Sequence, residues 1–259
     1  MLEYDAVTAR IFEISPYTFF AVIGIVFATS SFILLLLKHG YSIPKYTKIF
    51  LLSGLGLLIG ARFFGVLTGL YVALASNTPV TIYTFLNTGI VFYGGLIGFL
   101  VSFLLICKKW NKKIEYRIVD IAVVCIPLFH FWGRLGCFFG GCCFGIETQS
   151  AFSILYTTAI NGYINTASRI PVQLIEAILN LVIFAGLFKL LSMAKLKGQL
   201  MKIYLAIYAI MRIVLEFFRG DLARGVWYGV SFSQAVSAVI LMVSLVSTLL
   251  FNKKEKAYV

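Results

Sequence analysis

Long apolar stretches alternate with short polar segments along almost the whole chain. Seven stretches have roughly the 20 residues that a helix needs to cross the hydrocarbon core of a bilayer. They cover residues 17–37, 49–75, 85–107, 118–139, 172–191, 203–218 and 226–251. Because backbone polar groups in lipid must be satisfied within each segment, each stretch is expected to be helical. The pattern predicts an all-α membrane protein with seven transmembrane helices in a single polytopic domain, 1–259.

The composition excludes a soluble protein. Of the 259 residues, 61% are hydrophobic and only 12% are charged, and the mean hydropathy is +0.96. A soluble domain of this length cannot bury so much apolar surface. The first 16 residues hold three acids and a single cation, Arg10. That balance is unlike the positively charged start of a signal peptide, so we expect no cleaved leader.

The lysines predict how the chain crosses the membrane. They follow the first, third and fifth stretches, lie at the end of the fifth (Lys189) or lie in the C-terminal tail 252–259, whereas segments 76–84, 140–171 and 219–225 contain none. Since cytoplasmic loops carry an excess of Lys and Arg, this distribution places the N-terminus outside and the C-terminus in the cytoplasm. Segment 140–171 is then an outer loop. The net charge of +12 favours contact with anionic lipid headgroups rather than nucleic acid.

Arg134 lies near the outer end of the fourth stretch, in a segment rich in glycine. A cation within the hydrocarbon costs roughly 2.5–3.5 kcal/mol on insertion scales, so a chain keeps it only where a polar or anionic group meets it. A guanidinium beside a glycine-rich segment is typical of a phosphate site. The alternative is an interfacial arginine whose charged end reaches the outer headgroups.

A second charged group lies in the sixth stretch. Arg212, Glu216 and Arg219 follow one another at i, i+4 and i+7, which places them on one face of a continuous helix. Arg212 is predicted to be a second phosphate ligand, and Glu216 either orients it or acts as a base. The alternatives are an internal ion pair between Arg212 and Glu216 and, for Arg219, a marker of the outer interface.

Two further positions carry polar groups at membrane depth. Arg62 lies in the middle of the second stretch, and Glu176 of the fifth stretch is a candidate partner for it. Tyr93 precedes the pair Gly94 and Gly95. It is either an interface anchor or a residue whose hydroxyl points into a cavity.

Three cysteines lie close together at the predicted outer face, at positions 137, 142 and 143. One disulfide with a thiol left over, a group of packed thiols, and a nucleophile activated by nearby arginines are all compatible with the sequence. The two histidines lie far apart and the cysteine spacing matches no usual zinc pattern. We therefore expect no metal and no cofactor.

Five motifs, in order, resemble those of the bacterial prolipoprotein diacylglyceryl transferase family over nearly the whole chain. The segment Gly133-Arg134-Leu-Gly136-Cys137-Phe-Phe-Gly-Gly-Cys142-Cys-Phe-Gly145 is similar to the family signature G-R-x-G-N-F-x-N-x-E-x-x-G. Pro171-Val-Gln173-Leu-Ile-Glu176-Ala is similar to P-x-Q-L-Y-E-A, and Arg212-Ile-Val-Leu-Glu216-Phe-Phe-Arg219 to R-x-x-x-E-F-F-R. Gly60-Ala-Arg62 and Tyr93-Gly94-Gly95-Leu also match similar segments.

The resemblance implies seven spans in the bacterial inner (plasma) membrane. It also implies transfer of diacylglyceryl from phosphatidylglycerol to a cysteine thiol of a prolipoprotein signal peptide at the outer leaflet, with glycerol phosphate leaving. The catalytic residues would be Arg134, Arg212, Glu216 and Tyr93. The substrate-binding residues would be Arg62, Gly94, Gly95, Gly136, Cys137, Cys142, Gly145, Gln173, Glu176 and Arg219.

The chain departs from the family pattern at four polar positions. Tyr93 replaces a histidine, Cys137 and Gly140 replace two asparagines, and Cys142 replaces the signature glutamate. A tyrosine of ordinary pKa, about 10, is a poor base at neutral pH. The alternatives are therefore a divergent transferase with another acceptor and a lipid or solute transporter. A retinal-binding protein holds its retinal through a Schiff base to a lysine. This class is excluded because the seventh stretch has no lysine.

Overall fold

A computed structural model describes most of the chain. The described residues are 2–5, 14–75, 79, 81–82, 91–111, 115–160, 163–193, 196–220, 226–227 and 229–257. Within them the helices are α1 (Pro16–Lys38), α2 (Ile43–Ala75), α3 (Phe92–Asn111), α4 (Tyr116–Phe139), α5 (Val172–Leu191), α6 (Leu200–Glu216) and α7 (Phe232–Ala257). The strands are β1 (Leu2–Asp5), β2 (Ile154–Ile160), β3 (Tyr163–Arg169), β4 (Val226–Trp227) and β5 (Val230–Ser231).

The helices confirm a mostly helical, multi-pass membrane protein. Among the described residues, α1 to α5 are long and apolar enough to cross a bilayer, and α7 has a shorter apolar part, Phe232–Leu245. Helix α5 coincides with the predicted stretch 172–191. The count of seven spans and the orientation of the termini stay predictions.

Local sequence accounts for where helices begin. At the start of α1, the Ser15 hydroxyl accepts a hydrogen bond from the Thr18 amide at 3.2 Å, and Pro16 occupies the first helical position. Both features favour a helix start. The seventh helix was predicted from residue 226, which is wrong. Strands β4 and β5 pair antiparallel, with Gly229 at φ +77° between them, and α7 begins at Phe232.

A small sheet occupies part of the predicted outer loop 140–171. Strand β2 pairs in parallel with β1 and antiparallel with β3. Tyr156 of β2 is fully buried and packs with Ile154 against Phe138, close to the C-terminal end of α4. Short strands of this kind give no membrane-length apolar signal, so the apolar pattern did not reveal them.

The chain forms two compact units. The first, called unit 1, comprises Met1–Leu51, Glu115–Lys197 and Phe217–Asp221, and the second, unit 2, comprises Leu52–Ile114, Gly198–Glu216 and Leu222–Val259. In unit 1, α4 packs against both α1 and α5. In unit 2, α6 packs against α7.

Glycines bring α2 and α3 together in unit 2. A Cβ on Gly60 would overlap the Gly94 carbonyl, and one on Gly98 would overlap the Gly56 carbonyl. Small residues four apart let membrane helices approach backbone to backbone. Gly94 was predicted to bind substrate, and this close crossing supplies a packing reason for a glycine there.

Candidate functional site

Arg134 is held by two side chains inside unit 1. Its Nε donates a hydrogen bond to Nε2 of His130, one turn earlier on α4, at 3.1 Å. Its Nη2 lies 2.9 Å from Oε1 of Glu176 on α5. The Arg134 side chain is 7% exposed and that of Glu176 is fully buried. This burial is inconsistent with an arginine that extends its charge to the headgroups.

His130 lies beside both members of this ion pair. Its Nε2 accepts the hydrogen bond from Arg134 and also lies 3.5 Å from Oε1 of Glu176. From the sequence, His130 was considered only as a zinc ligand, and its position one turn from Arg134 was missed.

Glu176 is therefore the counter-ion of Arg134. The sequence had suggested Glu176 as a partner for Arg62; its described ion pair is with Arg134, and the pairing with Arg62 stays a prediction. The two residues come from α4 and α5, which are separated by the small sheet in the chain and face each other only in the tertiary structure. Arg62 is half-buried and lies in unit 2.

The chain reverses immediately after α4. The Gly141 amide bonds to the Phe138 carbonyl and the Cys142 amide to the Cys137 carbonyl. Gly141 has φ +65°, the left-handed conformation that such a helix ending requires and that glycine adopts without steric cost. The reversal returns the Cys142 backbone toward the end of α4.

Gln173 holds this reversed segment. Its Nε2 donates to the Cys142 carbonyl at 2.7 Å, and its Oε1 accepts from the Tyr156 hydroxyl at 3.4 Å. The predicted substrate-binding residue Gln173 thus contacts the signature segment. Tyr156, which the sequence did not single out, connects Gln173 to β2.

Two signature glycines occupy places where backbones approach closely. A Cβ on Gly145 would lie 2.5 Å from the Ile170 carbonyl oxygen, and one on Gly136 would lie 3.1 Å from Cα of Tyr17 on α1. The Gly145 amide also bonds to Ile170 O at 3.0 Å. Both glycines were predicted to bind substrate, and that role stays a prediction beside this packing requirement.

Arg219 does not continue the face of Arg212 and Glu216. Helix α6 ends at Glu216, and Arg219 instead forms an antiparallel backbone bridge with Gly145 in unit 1. The predicted three-residue helical face is wrong because the helix stops before its third member. Arg219 is nevertheless joined to the signature segment through this bridge.

Arg169 forms a second ion pair in unit 1. Its Nη2 lies 2.7 Å from Oε1 of Glu147, and the Glu147 side chain is 65% exposed. The guanidinium also lies 4.4 Å from the centre of the Phe144 ring. With one partner in solvent, this pair contributes about 0.2–1 kcal/mol.

Unit 2 contains a separate chain of polar contacts. Arg212 Nη2 lies 2.5 Å from Oε2 of Glu216 and donates to the Ser233 hydroxyl at 3.3 Å. Ser237 donates to the Ser233 carbonyl, and its Oγ lies 2.5 Å from the Tyr93 hydroxyl. The predicted ion pair between Arg212 and Glu216 is confirmed. The sequence missed both serines, although hydroxyls four residues apart in an apolar stretch were a visible signal.

Arg212 and Tyr93 are both buried, at 2% exposure each. The Tyr93 ring packs edge-on against Tyr208, with ring centres 5.4 Å apart. Tyr93 is therefore a buried residue with a hydrogen-bonded hydroxyl, which disfavours the interface anchor.

Arg134 belongs to unit 1 and Arg212 to unit 2, and a common phosphate site stays a prediction.

All five cysteines are thiols, so the disulfide interpretation is not supported. The sulfur atoms of Cys137, Cys142 and Cys143 all lie within 4.8 Å of one another. A hydrogen bond with Cys137 lowers the pKa of the Cys142 thiol, but a hydrogen bond with Cys143 and burial raise it further, to about 12. A thiol with this pKa is protonated at neutral pH, which argues against Cys142 as a nucleophile.

Comparison with known proteins points to one family in both the family model and the individual relatives. The model of a family described as prolipoprotein diacylglyceryl transferase matches residues 5–250. The phosphatidylglycerol–prolipoprotein diacylglyceryl transferase 2 of Clostridium perfringens is 30% identical over 235 residues, which cover 89% of this chain and 88% of the relative.

Two further relatives carry the name phosphatidylglycerol–prolipoprotein diacylglyceryl transferase. The protein of Campylobacter hominis is 31% identical over 205 residues, which cover 73% of this chain and 68% of the relative. The protein of Clostridium tetani is 31% identical over 160 residues, which cover 62% of this chain and 63% of the relative. The latter match thus spans less than two thirds of that relative.

Proposed function

The chain belongs to the prolipoprotein diacylglyceryl transferase family, and we propose that it transfers diacylglyceryl from phosphatidylglycerol to a cysteine thiol of a prolipoprotein. The names of the relatives described above support both substrates. The proposed setting is the bacterial plasma membrane, with seven spans, the N-terminus outside and the acceptor cysteine on a signal peptide. The lysine distribution supports this orientation.

The proposed reaction is a displacement at carbon. The acceptor sulfur forms a bond to the glyceryl carbon next to the phosphate, and the bond between that carbon and its phosphate oxygen breaks. The bonding electrons leave with glycerol phosphate, and the thiol proton is released. A phosphodiester with one negative charge thus becomes a monoester with a second ionisation near pH 6, so negative charge develops on the leaving group.

The buried ion pair of Arg134 and Glu176 is the observation that carries the proposal. A guanidinium matches phosphate oxygens in geometry and remains charged at all physiological pH values. Glu176 and His130 contact two of its nitrogens, at 2.9 and 3.1 Å, and so restrict its orientation. An arginine oriented before substrate binds stabilises the developing phosphate charge without reorganisation.

Arg212 is proposed as a second residue that contacts the phosphate, and Glu216 as the residue that orients it. Their ion pair, the Ser233 hydroxyl and the burial of Arg212 support a rigid guanidinium. Tyr93 is proposed to act through its hydroxyl on the acceptor thiol. Arg62, Gly94, Gly95, Gly136, Cys137, Cys142, Gly145, Gln173 and Arg219 are proposed substrate-binding positions.

One reconstituted assay tests the function. Purified protein is incubated with phosphatidylglycerol labelled in its headgroup glycerol and with a peptide that contains a lipobox cysteine. The proposal predicts equal amounts of glycerol phosphate and lipidated peptide. A peptide with serine in place of the acceptor cysteine is the control and should give neither product.

The same assay separates the alternatives. Glycerol phosphate without lipidated peptide would point to a different acceptor, as the substitutions at positions 137 and 142 allow. Absence of both products from folded wild-type protein would contradict a transferase and favour lipid or solute transport.

A further inference from the structure

The three thiols at the end of α4 form a compact group of soft donor atoms. Cys137 lies in the last turn of the helix, whereas Cys142 and Cys143 lie in the segment that follows. Their sulfurs all lie within 4.8 Å of one another. Cys142 is exposed, Cys143 is half-buried and Cys137 is buried, so the group is accessible from one side.

Backbone conformation creates this convergence. Gly141 at φ +65° ends the helix and turns the chain back, and Cys143 at φ +63° is the one residue other than glycine with positive φ in the described part of the chain. A residue with a side chain is rare in this conformation and costs on the order of 1–3 kcal/mol. Two left-handed residues so close together place Cys142 and Cys143 beside Cys137, an arrangement that sequence spacing could not predict.

The geometry of the group fits a bound metal ion. With metal–sulfur bonds of about 2.3 Å, three sulfurs around one ion lie about 4 Å apart. The three thiols need to move toward one another by less than about 1 Å to reach that separation. Soft thiolate ligands select Cu(I), zinc and iron–sulfur clusters over hard cations.

The number of donors narrows the choice of ion. Among the residues that the structure describes, no histidine or carboxylate joins the three sulfurs. Structural zinc sites are almost always four-coordinate, whereas monovalent copper accepts three thiolates. The Gln173 side chain donates a hydrogen bond to the Cys142 carbonyl and so holds the backbone of this ligand in place.

We propose that Cys137, Cys142 and Cys143 form a three-thiolate binding site for a soft monovalent metal ion, Cu(I). Binding forms three Cu–S bonds and releases the three thiol protons, with no change in oxidation state. The site lies within the family signature, where the resemblance places an asparagine and a glutamate at positions 137 and 142. Because Cys137 and Cys142 are also proposed substrate-binding positions, the test of this site measures metal binding itself and not turnover.

An anaerobic titration of the full-length protein in detergent tests this site. Cu(I) is delivered in competition with bicinchoninate, whose copper complex is coloured. We expect one tightly bound ion per chain. The variant Cys142→Ser/Cys143→Ser loses two ligands and should bind Cu(I) more weakly than the wild type. The loss should exceed the 10–100-fold that removal of a residue outside the ligand shell costs.

The matched control is Cys107→Ala/Cys125→Ala, which removes the two cysteines outside the group and should retain wild-type affinity. Equal affinity of the wild type and the Cys142→Ser/Cys143→Ser variant would overturn the proposal. So would loss of binding in the control alone.

A second measurement needs no variant and so does not depend on folding of mutants. X-ray absorption at the copper edge of the loaded wild-type protein should show three sulfur neighbours at about 2.3 Å. Nitrogen or oxygen neighbours instead of sulfur would overturn the site.

Discussion

Arg134 of α4 and Glu176 of α5 form a buried ion pair, with Nη2 and Oε1 2.9 Å apart. Each charge is surrounded by protein, and the Glu176 side chain has no exposed surface. A buried charge without its partner is costly, so each residue depends on the other. The pair stabilises the contact between α4 and α5 and fixes the orientation of the guanidinium that we propose contacts the phosphate.

The first prediction concerns Arg134 itself. Arg134→Ala should lower turnover by about 10²–10³-fold or more, because it removes a preset group that stabilises charge in the transition state. Glycerol phosphate release is the measurement, with membrane expression as a check on folding. Arg169→Lys, which retains a cation beside Glu147, is the matched control and should stay near normal. Normal turnover in Arg134→Ala would remove Arg134 from the site.

Glu176 should contribute mainly to stability. Glu176→Gln leaves the Arg134 charge buried without a counter-ion and should lower the free energy of unfolding by roughly 3–5 kcal/mol. Thermal unfolding in detergent measures this effect. In the double variant Arg134→Met/Glu176→Gln the loss should be smaller than the sum of the two single losses, since no buried charge remains. Additive losses would show that the two residues are not coupled.

Arg212 provides a test in unit 2. Arg212→Ala should abolish detectable turnover while membrane expression stays near normal, because the proposed phosphate contact is lost. Ser233→Ala removes only a hydrogen bond of 3.3 Å to Arg212 and should cost a few-fold at most. If both variants lost activity to the same small extent, Arg212 would have a structural role only.

Substitutions at Tyr93 and Ser237 distinguish a chemical role of the Tyr93 hydroxyl from a structural one. Tyr93→Phe removes the hydroxyl and should lower turnover roughly 10²-fold if that hydroxyl acts on the acceptor. Ser237→Ala removes the partner 2.5 Å away but leaves the hydroxyl, so its effect should be much smaller. Equal effects of the two variants would assign Tyr93 to packing. Tyr93→His, which restores the residue typical of the family pattern, should retain activity.

Gly145 tests the backbone of the signature segment. A Cβ there would lie 2.5 Å from Ile170 O, so Gly145→Ala should lower the free energy of unfolding by about 1–3 kcal/mol. Gly186→Ala on α5 is the control, because no atom other than those of its own chain neighbours and helix backbone lies within 4 Å of the position that its Cβ would take. That variant should be neutral or more stable by up to about 1 kcal/mol. Equal stability of the two variants would contradict the close approach at Gly145.

The residues of α5 illustrate what sequence alone determined. Its bounds follow directly from the apolar stretch 172–191, since a segment in lipid must satisfy its own backbone groups and therefore forms a helix. The motifs around Arg134 and Arg212 likewise identified the family, because their spacing is local. The ion pair of Arg212 and Glu216 was foreseeable for the same reason, as residues four apart meet on a helix.

Only the tertiary structure decided which distant groups meet. Glu176 reaches Arg134, and Ser237 reaches Tyr93, through helix packing that no local spacing encodes. The end of α6 at Glu216 separated Arg219 from its expected face, and two left-handed residues gathered three thiols whose spacing predicted no metal site. The length of an apolar stretch specifies that the segment is a helix in lipid, but partners across helices depend on close packing and burial of charge, which the linear pattern does not contain.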